Sequence, residues 1–390
     1  MRAERRDQAA LSDASVSLGV RAKHLYIHVP FCARRCVYCD FSIAVRHTVP
    51  VDEYLAALDH EWRTRHAASV FDLETLYLGG GTPSKLGADG VRRLMDGVRR
   101  HATLDTTAEI TLEANPEDVS LESVRAWCDA GVNRVSLGVQ SFDDAVLGWM
   151  HRTHDAHTAR RAVHVLRDGG IENVSIDLIF AAPASLGRSW NRDLQLALAL
   201  ELPHLSVYGL TVEPHTPLGR WVARSDVAEA PEESFEAEFL CAHEMLTSTG
   251  FEHYEVSNYG MPGAHSRHNW AYWNRQPYGG FGPSAHEFDG RERRWNASAY
   301  ADWVSRVRRD EDPTEGREEL DEGQAMAEDV YLKLRTRTGI AVSEIERERV
   351  EPLVNAGWAA LEGDSRIRLT PSGWLRLDSI AGDLTLLRSR

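Results

Sequence analysis

The chain has 390 residues, 43% hydrophobic and 26% charged, which suits a large buried core and exceeds what one domain usually holds. Its 59 acidic against 44 basic residues give a formal net charge of −15, with arginines scattered among acids; this excludes a broad phosphate-binding surface, and no nucleic-acid partner is expected. No run approaches the ~18 consecutive apolar residues of a membrane span, so any membrane contact is expected to be peripheral, and five cysteines with three in one octet form no disulfide framework and suit the reducing cytoplasm.

In chain order, residues 1–23 carry Arg and Asp without a continuous apolar run and read as a flexible tail rather than a signal peptide. Six runs of strand character follow, at 25–29 (LYIHV), 75–78, 109–113, 134–139, 174–179 and 204–210. Amphipathic helical patterns separate them at 51–67, 88–100, 120–130, 155–169 and 188–200, with Asp52 and Ser120 as expected N-caps and Gly131 and Gly169-Gly170 as stops. Alternation of this kind predicts a parallel sheet with crossover helices, and six units predict an α/β fold built as a partial (β/α)6 TIM-like barrel.

Beyond residue 212 the alternation weakens: an acidic stretch around 225–240 leads into a helix, followed by an aromatic, Gly-rich segment to about 289. From about 317 come helices at 321–335 and 342–357 and strands at 359–362 and 366–369, the order of a small winged-helix-like α+β domain. Its acidity favours packing or partner docking over DNA binding. The expected division is a tail over 1–23, a barrel with its C-terminal extension over 24–300, and a C-terminal domain over 301–390.

The first predicted strand runs into Cys32-Ala-Arg-Arg-Cys36-Val-Tyr-Cys39. A CxxxCxxC loop gives three thiolates to an iron–sulfur cluster and leaves the fourth iron open to a small chelator. A structural zinc ion would need a fourth Cys or His nearby, and the first candidate downstream is His47. In parallel barrels the loops leaving the C-terminal strand ends build the active site. Here those loops hold the cysteines, Gly79-Gly80-Gly81-Thr82-Pro83, Glu113, Gln140, Arg152 and Asp177. Each polar residue alone could simply cap a helix or satisfy a loop.

The cysteine spacing resembles that of radical S-adenosylmethionine (SAM) proteins. More narrowly, the chain resembles the oxygen-independent coproporphyrinogen oxidase family through Tyr26-Ile-His-Val-Pro-Phe-Cys32, Gly79-Gly-Gly-Thr-Pro83, Glu113-Ala-Asn-Pro116, Ser136-Leu-Gly-Val-Gln-Ser-Phe142 and Asp177-Leu-Ile179. The resemblance implies a radical SAM barrel with a [4Fe–4S] cluster on Cys32, Cys36 and Cys39. It also implies SAM contacts from Tyr26, Tyr38, Gly80, Gly81, Thr82, Glu113, Gln140, Arg152, Asp177 and Gly209. Arg152 suits the SAM carboxylate, and Asp177 and Gln140 suit the ribose hydroxyls. The radical chemistry belongs to the cofactors, and no catalytic residue of the chain is assigned.

Within this family the oxidase branch continues the motif to CxxxCxxCxC, and Phe41 stands where its fourth cysteine would be. Only 24 residues precede Leu25, too few for the long N-terminal arm of that branch, and the stretch His268-Asn269-Trp-Ala-Tyr272-Trp273 matches an HNxxYW pattern. These features resemble the other branch, the HemW-like radical SAM heme chaperones. That implies heme as a ligand, acceptor hemoproteins as partners, an electron donor for the cluster, and heme contact from His268, Asn269, Tyr272 and Trp273. From side-chain chemistry alone, His268 reads more simply as a hydrogen-bonded core histidine with Tyr272 and Trp273 packing the barrel end. His265 and His286 are alternative ligands. The competing enzyme readings are coproporphyrinogen III decarboxylation and a methyltransferase or cyclopropane-forming relative.

Overall fold

The computed structural model describes residues 21–345, 347–363 and 365–385. Most of the expected tail lies outside the described residues, and residues 21–23 already belong to the first strand. Six parallel strands stand side by side in chain order: β1 (Arg21–Val29), β2 (Val70–Gly80), β3 (Thr103–Ala114), β4 (Arg134–Gln140), β5 (Asn173–Phe180) and β6 (His204–Gly209). They are legible as apolar runs because a parallel sheet covered by helices buries both faces; every residue of β4 is buried. Register sets Leu25 beside Leu76, Leu76 beside Ile110, and Ile176 beside Leu205, so the aliphatic side chains stack in layers.

The connecting helices are α1 (Val51–Arg65), α2 (Gly87–His101), α3 (Leu121–Asp129), α4 (Asp144–Trp149), α5 (Ala156–Asp168) and α6 (Trp190–Leu198). They cover the sheet with fully buried anchors such as Met95, Trp127, Leu166 and Leu194. Ser120 closes a capping box with Ser123 at the start of α3, as expected. Asp52 does not cap: α1 starts after Pro50, and Asp52 lies in its first turn, where it pairs with Arg93 at 2.6 Å.

The extension widens the sheet on both sides. Past β6 come β7 (Glu252–Glu255) and β8 (Asn258–Gly260), with β8 the neighbour of β6. At the other edge β9 (Tyr278–Phe281) pairs parallel with β1 and is followed by antiparallel β10 (His286–Phe288), β11 (Glu292–Asn296) and β12 (Thr314–Glu319). β6 and β9 are not neighbours in this twelve-stranded sheet, so the barrel stays open. The sheet thus runs past residue 300, to Glu319.

Helices α7 (Pro217–Ala223), α8 (Glu232–Ser248), α9 (Arg267–Trp273) and α10 (Tyr300–Arg308) complete the extension. Buried Glu61 of α1 fastens it: its carboxylate accepts from Gly282 N–H (3.0 Å), Asn296 Nδ2 (2.6 Å) and Trp303 Nε1 (3.2 Å) and pairs with Arg65. Beyond it, α11 (Glu322–Leu334), α12 (Arg347–Asn355) and a three-stranded sheet of β13 (Ile340–Ala341), β14 (Ala359–Glu362) and β15 (Arg366–Leu369) follow the expected helix–helix–hairpin order.

Candidate functional site

A cavity of about 440 Å³ opens at the C-terminal ends of the strands, and all three cysteines of the motif line it. Their loop is pinned by backbone bonds from Val37 N–H to Met150 O (3.3 Å) and from Leu218 N–H to Val37 O (2.9 Å). Thr82 Oγ1 lies 3.4 Å from Cys32 Sγ, and Arg152 Nη1 points at Cys36 Sγ from 3.4 Å. Burial pushes the Cys32 thiol up and the Cys39 thiol up to about 11. Thiolate ligands therefore need compensating positive charge, which Arg152 and Arg35 supply in part. Among the described residues no three His, Cys, Asp or Glu side chains gather into a single-ion site. Three thiols without a fourth donor suit a multi-iron cluster, in which each thiolate takes its own iron.

Beside the cysteines the backbone is stripped of side chains. Gly80 has φ +113°, and a Cβ there would strike the His28 ring at 2.6 Å; a Cβ on Gly81 would strike Pro30 at 2.6 Å. Only glycine lets this loop lie so close to β1 and still face the cavity. Glu113, at the end of β3, accepts from Tyr77 Oη (2.8 Å) and from Gly80 N–H (3.0 Å). Burial nevertheless pushes it up to about 7. Asp177 accepts from Ser136 Oγ at 3.1 Å, and burial raises it too. Both acids line the cavity.

Gln140 ends β4 in the left-handed region at φ 69° and faces the same cavity. Arg152 donates from Nη2 to Asn115 Oδ1 (2.7 Å) and Gly138 O (2.8 Å), while its buried Nε has no hydrogen-bond partner among the described residues. That orphan donor beside the thiols fits a ligand carboxylate. Tyr38, Thr82 and Gly209 also line the cavity. Tyr26 does not; it stands lower in the lumen, its ring 6.2 Å from Tyr77 and its hydroxyl 3.0 Å from His28 Nδ1. Sequence reasoning assigned no role to Asn115 and Ser136, which hold Arg152 and Asp177; both sit inside motifs already quoted. Phe41, 63% exposed, stands at the cavity mouth.

The HNxxYW stretch lies elsewhere. It forms α9, which plugs the lumen from the strands' N-terminal side. Glu109 accepts from the first amides of the helix, Arg267 N–H (3.1 Å) and His268 N–H (3.0 Å). His268 is fully buried, with Nδ1 2.7 Å from Thr75 Oγ1 and Nε2 2.8 Å from Tyr272 Oη. Burial pushes it down to about 3, so it is neutral. With both ring nitrogens engaged, it offers none to a metal. Tyr272 packs edge-on against Tyr278, and Trp273 lies under the Arg335 guanidinium at 4.4 Å. Asn269 is partly buried, and its amide N–H donates to Ser266 Oγ. Of the alternatives, His286 is exposed and stacks on Trp295, while His265 stacks on Tyr254 at 4.1 Å and meets Glu252 at 2.9 Å.

A model of the radical SAM superfamily matches residues 26–184. The heme chaperone HemW of Mycobacterium tuberculosis is 36% identical over 372 residues, 92% of this chain and 94% of that protein. HemW of Lactococcus lactis is 35% identical over 83% of this chain and 84% of its own length. Among solved structures, the Escherichia coli coproporphyrinogen III oxidase HemN, a radical SAM enzyme, superposes with a TM-score of 0.80 at 21% identity, covering 94% of this chain and 90% of its own, which is a likeness of fold. The chain belongs to the HemW family of radical SAM proteins.

Proposed function

We propose that this protein binds heme and hands it to acceptor hemoproteins, with a [4Fe–4S] cluster and SAM at the open rim of the barrel. The observation that carries the reading is likeness along nearly the whole chain to proteins named heme chaperones. Phe41 supports it, placing an exposed aromatic ring where the oxidase branch has a fourth cysteine.

At the rim, Cys32, Cys36 and Cys39 are the cluster's thiolate ligands, and Arg152 offsets their charge while its free Nε meets the SAM carboxylate. Glu113 takes the SAM ammonium, and Asp177 and Gln140 take the ribose hydroxyls. Bound together, cluster and SAM would supply one-electron chemistry at the sulfonium, with an electron donor as a further partner. Three cluster thiols call for a reducing compartment, the cytoplasm. We place the domain division after Glu319, where the large sheet ends.

The test is anaerobic reconstitution followed by hemin titration and transfer to a heme-free acceptor protein, read in the Soret band. Stoichiometric binding and transfer are expected. A protein with an intact cluster that binds no heme and converts coproporphyrinogen to protoporphyrinogen overturns the reading in favour of the enzyme.

A further inference from the structure

We propose that heme binds at the end of the barrel opposite the cluster, in the cleft beside α9, with His24 Nε2 as the iron ligand and Thr75 and His268 as the groups that fix that imidazole's tautomer. The proposal rests on the carrier reading and locates its site.

The cleft measures about 450 Å³, within the usual range for cofactor sites, and shares no lining residue with the cluster cavity. One wall carries the Trp270 ring, 6.0 Å from the His265 ring that stacks on Tyr254, and Glu74, Asn274 and Gln276 line the rest. Ala271 leaves room beside them. Lys23 and Arg267 stand at the edge, where propionates of a porphyrin would reach water. Lys23 shares its charge with Glu74 in an exposed pair, whereas Arg267 makes no ion pair among the described residues and donates to Thr107 O at 2.7 Å.

His24 is the imidazole prepared for iron. It is 8% exposed and lines the cleft, with Nδ1 2.9 Å from Thr75 Oγ1. Nε2 has no hydrogen-bond partner among the described residues. Metal-bound histidines ordinarily donate their second ring N–H to a fixed acceptor, and Thr75 is that acceptor here.

One consistent set of protons satisfies the whole chain of contacts. With iron on Nε2, His24 carries its proton on Nδ1 and donates to Thr75 Oγ1. The Thr75 hydroxyl then donates its single proton to His268 Nδ1, 2.7 Å away, which puts the His268 proton on Nε2 facing Tyr272 Oη. The histidine of the HNxxYW stretch thus acts on heme through two hydrogen bonds and not by contact.

The experiment titrates hemin into the full-length reconstituted protein and into His24→Ala, His265→Ala and Thr75→Val, with cluster absorbance and SAM binding as folding controls. His24→Ala should lose at least tenfold in affinity and lose the histidine-ligated Soret position, and added imidazole should restore the spectrum. Thr75→Val should keep the ligand and weaken binding by about 10–100-fold, the usual loss when a ligand's supporting partner is removed. Should His24→Ala fail to reconstitute, His24→Gln with imidazole rescue carries the same comparison. Wild-type binding that His24→Ala leaves unchanged overturns the site alone, and a spectrum changed only by His265→Ala moves the ligand across the cleft. A wild type that binds no hemin overturns the carrier reading beneath it.

Discussion

The two ends of the barrel are made from the same strands and solve opposite problems. At the C-terminal rim, glycines, a left-handed Gln140, an acid pushed up to about 7 and an arginine with an orphan Nε leave polar groups short of partners. At the other end His24, Thr75, His268, Tyr272 and Glu109 form a closed network around α9, with His24 Nε2 as the one ring nitrogen left over. An incomplete network at the rim is what a bound ligand completes, while the lumen network fixes shape and leaves a single nitrogen for a ligand. If the ends are separable in this way, changes at one should leave the other's ligand alone.

The largest expected effect is Cys36→Ala, which should abolish the visible absorbance of the reconstituted cluster while hemin titration stays as in the wild type. Loss of heme binding in that variant would mean that the ends are not independent. Next is His268→Ala, which leaves Tyr272 Oη without this partner and the Thr75 hydroxyl with His24 alone. At about 1–3 kcal/mol for each buried hydrogen bond lost, a loss of about 2–6 kcal/mol is expected in urea unfolding. An unchanged midpoint would show that water replaces the imidazole at no cost.

Much of this was legible in the sequence, because continuous apolar runs between amphipathic helices announce a parallel sheet, and the cysteine, glycine and acid motifs sit at its strand ends. What escaped did so for definite reasons. Tyr278–Phe281 reads as a turn because of Gly279-Gly280, yet it is a strand whose Gly280 must lack a side chain: a Cβ there would lie 2.0 Å from His286 O. The expected tail reached to residue 23 because β1 begins with alternating polar residues, and so His24 was passed over as its edge. α9 has seven residues, too few for a period to reveal which side faces inward, so His268 could not be placed in the lumen before the fold was known. β12 does not read as a strand because its sequence, TEGREE, is almost wholly polar.

A smaller effect sharpens the comparison at the rim. Glu113→Gln keeps the shape and the Tyr77 contact but removes the charge proposed to meet the SAM ammonium. A hydrogen bond to a charged group contributes about 1.5–3 kcal/mol, so SAM affinity should fall by roughly 10–100-fold, measured calorimetrically on the reconstituted protein. Affinity within twofold of the wild type would assign the ammonium to the backbone carbonyls of the glycine loop instead.

The smallest effect is a pH dependence, and its sign follows from burial. Glu113 in the folded protein holds its proton up to about pH 7, against an ordinary glutamate near 4.5, because burial disfavours its charged form. Between those values the folded state binds more protons than the unfolded one, so this group's contribution to stability declines as pH rises through the window. SAM binding runs the other way: the cationic ammonium favours the carboxylate, so binding expels the proton. Affinity should climb by up to about tenfold per pH unit below pH 7 and level off above it. An α-amino group loses its own proton near pH 8, so affinity should fall again on the alkaline side. Glu113→Gln should flatten the acid limb and leave the alkaline one. Tyr77→Phe removes a hydrogen bond that lowers the Glu113 pKa, so it should move the acid limb to higher pH. A wild-type affinity that stays flat between about pH 5 and 7 would show that Glu113 does not bear the ligand's charge.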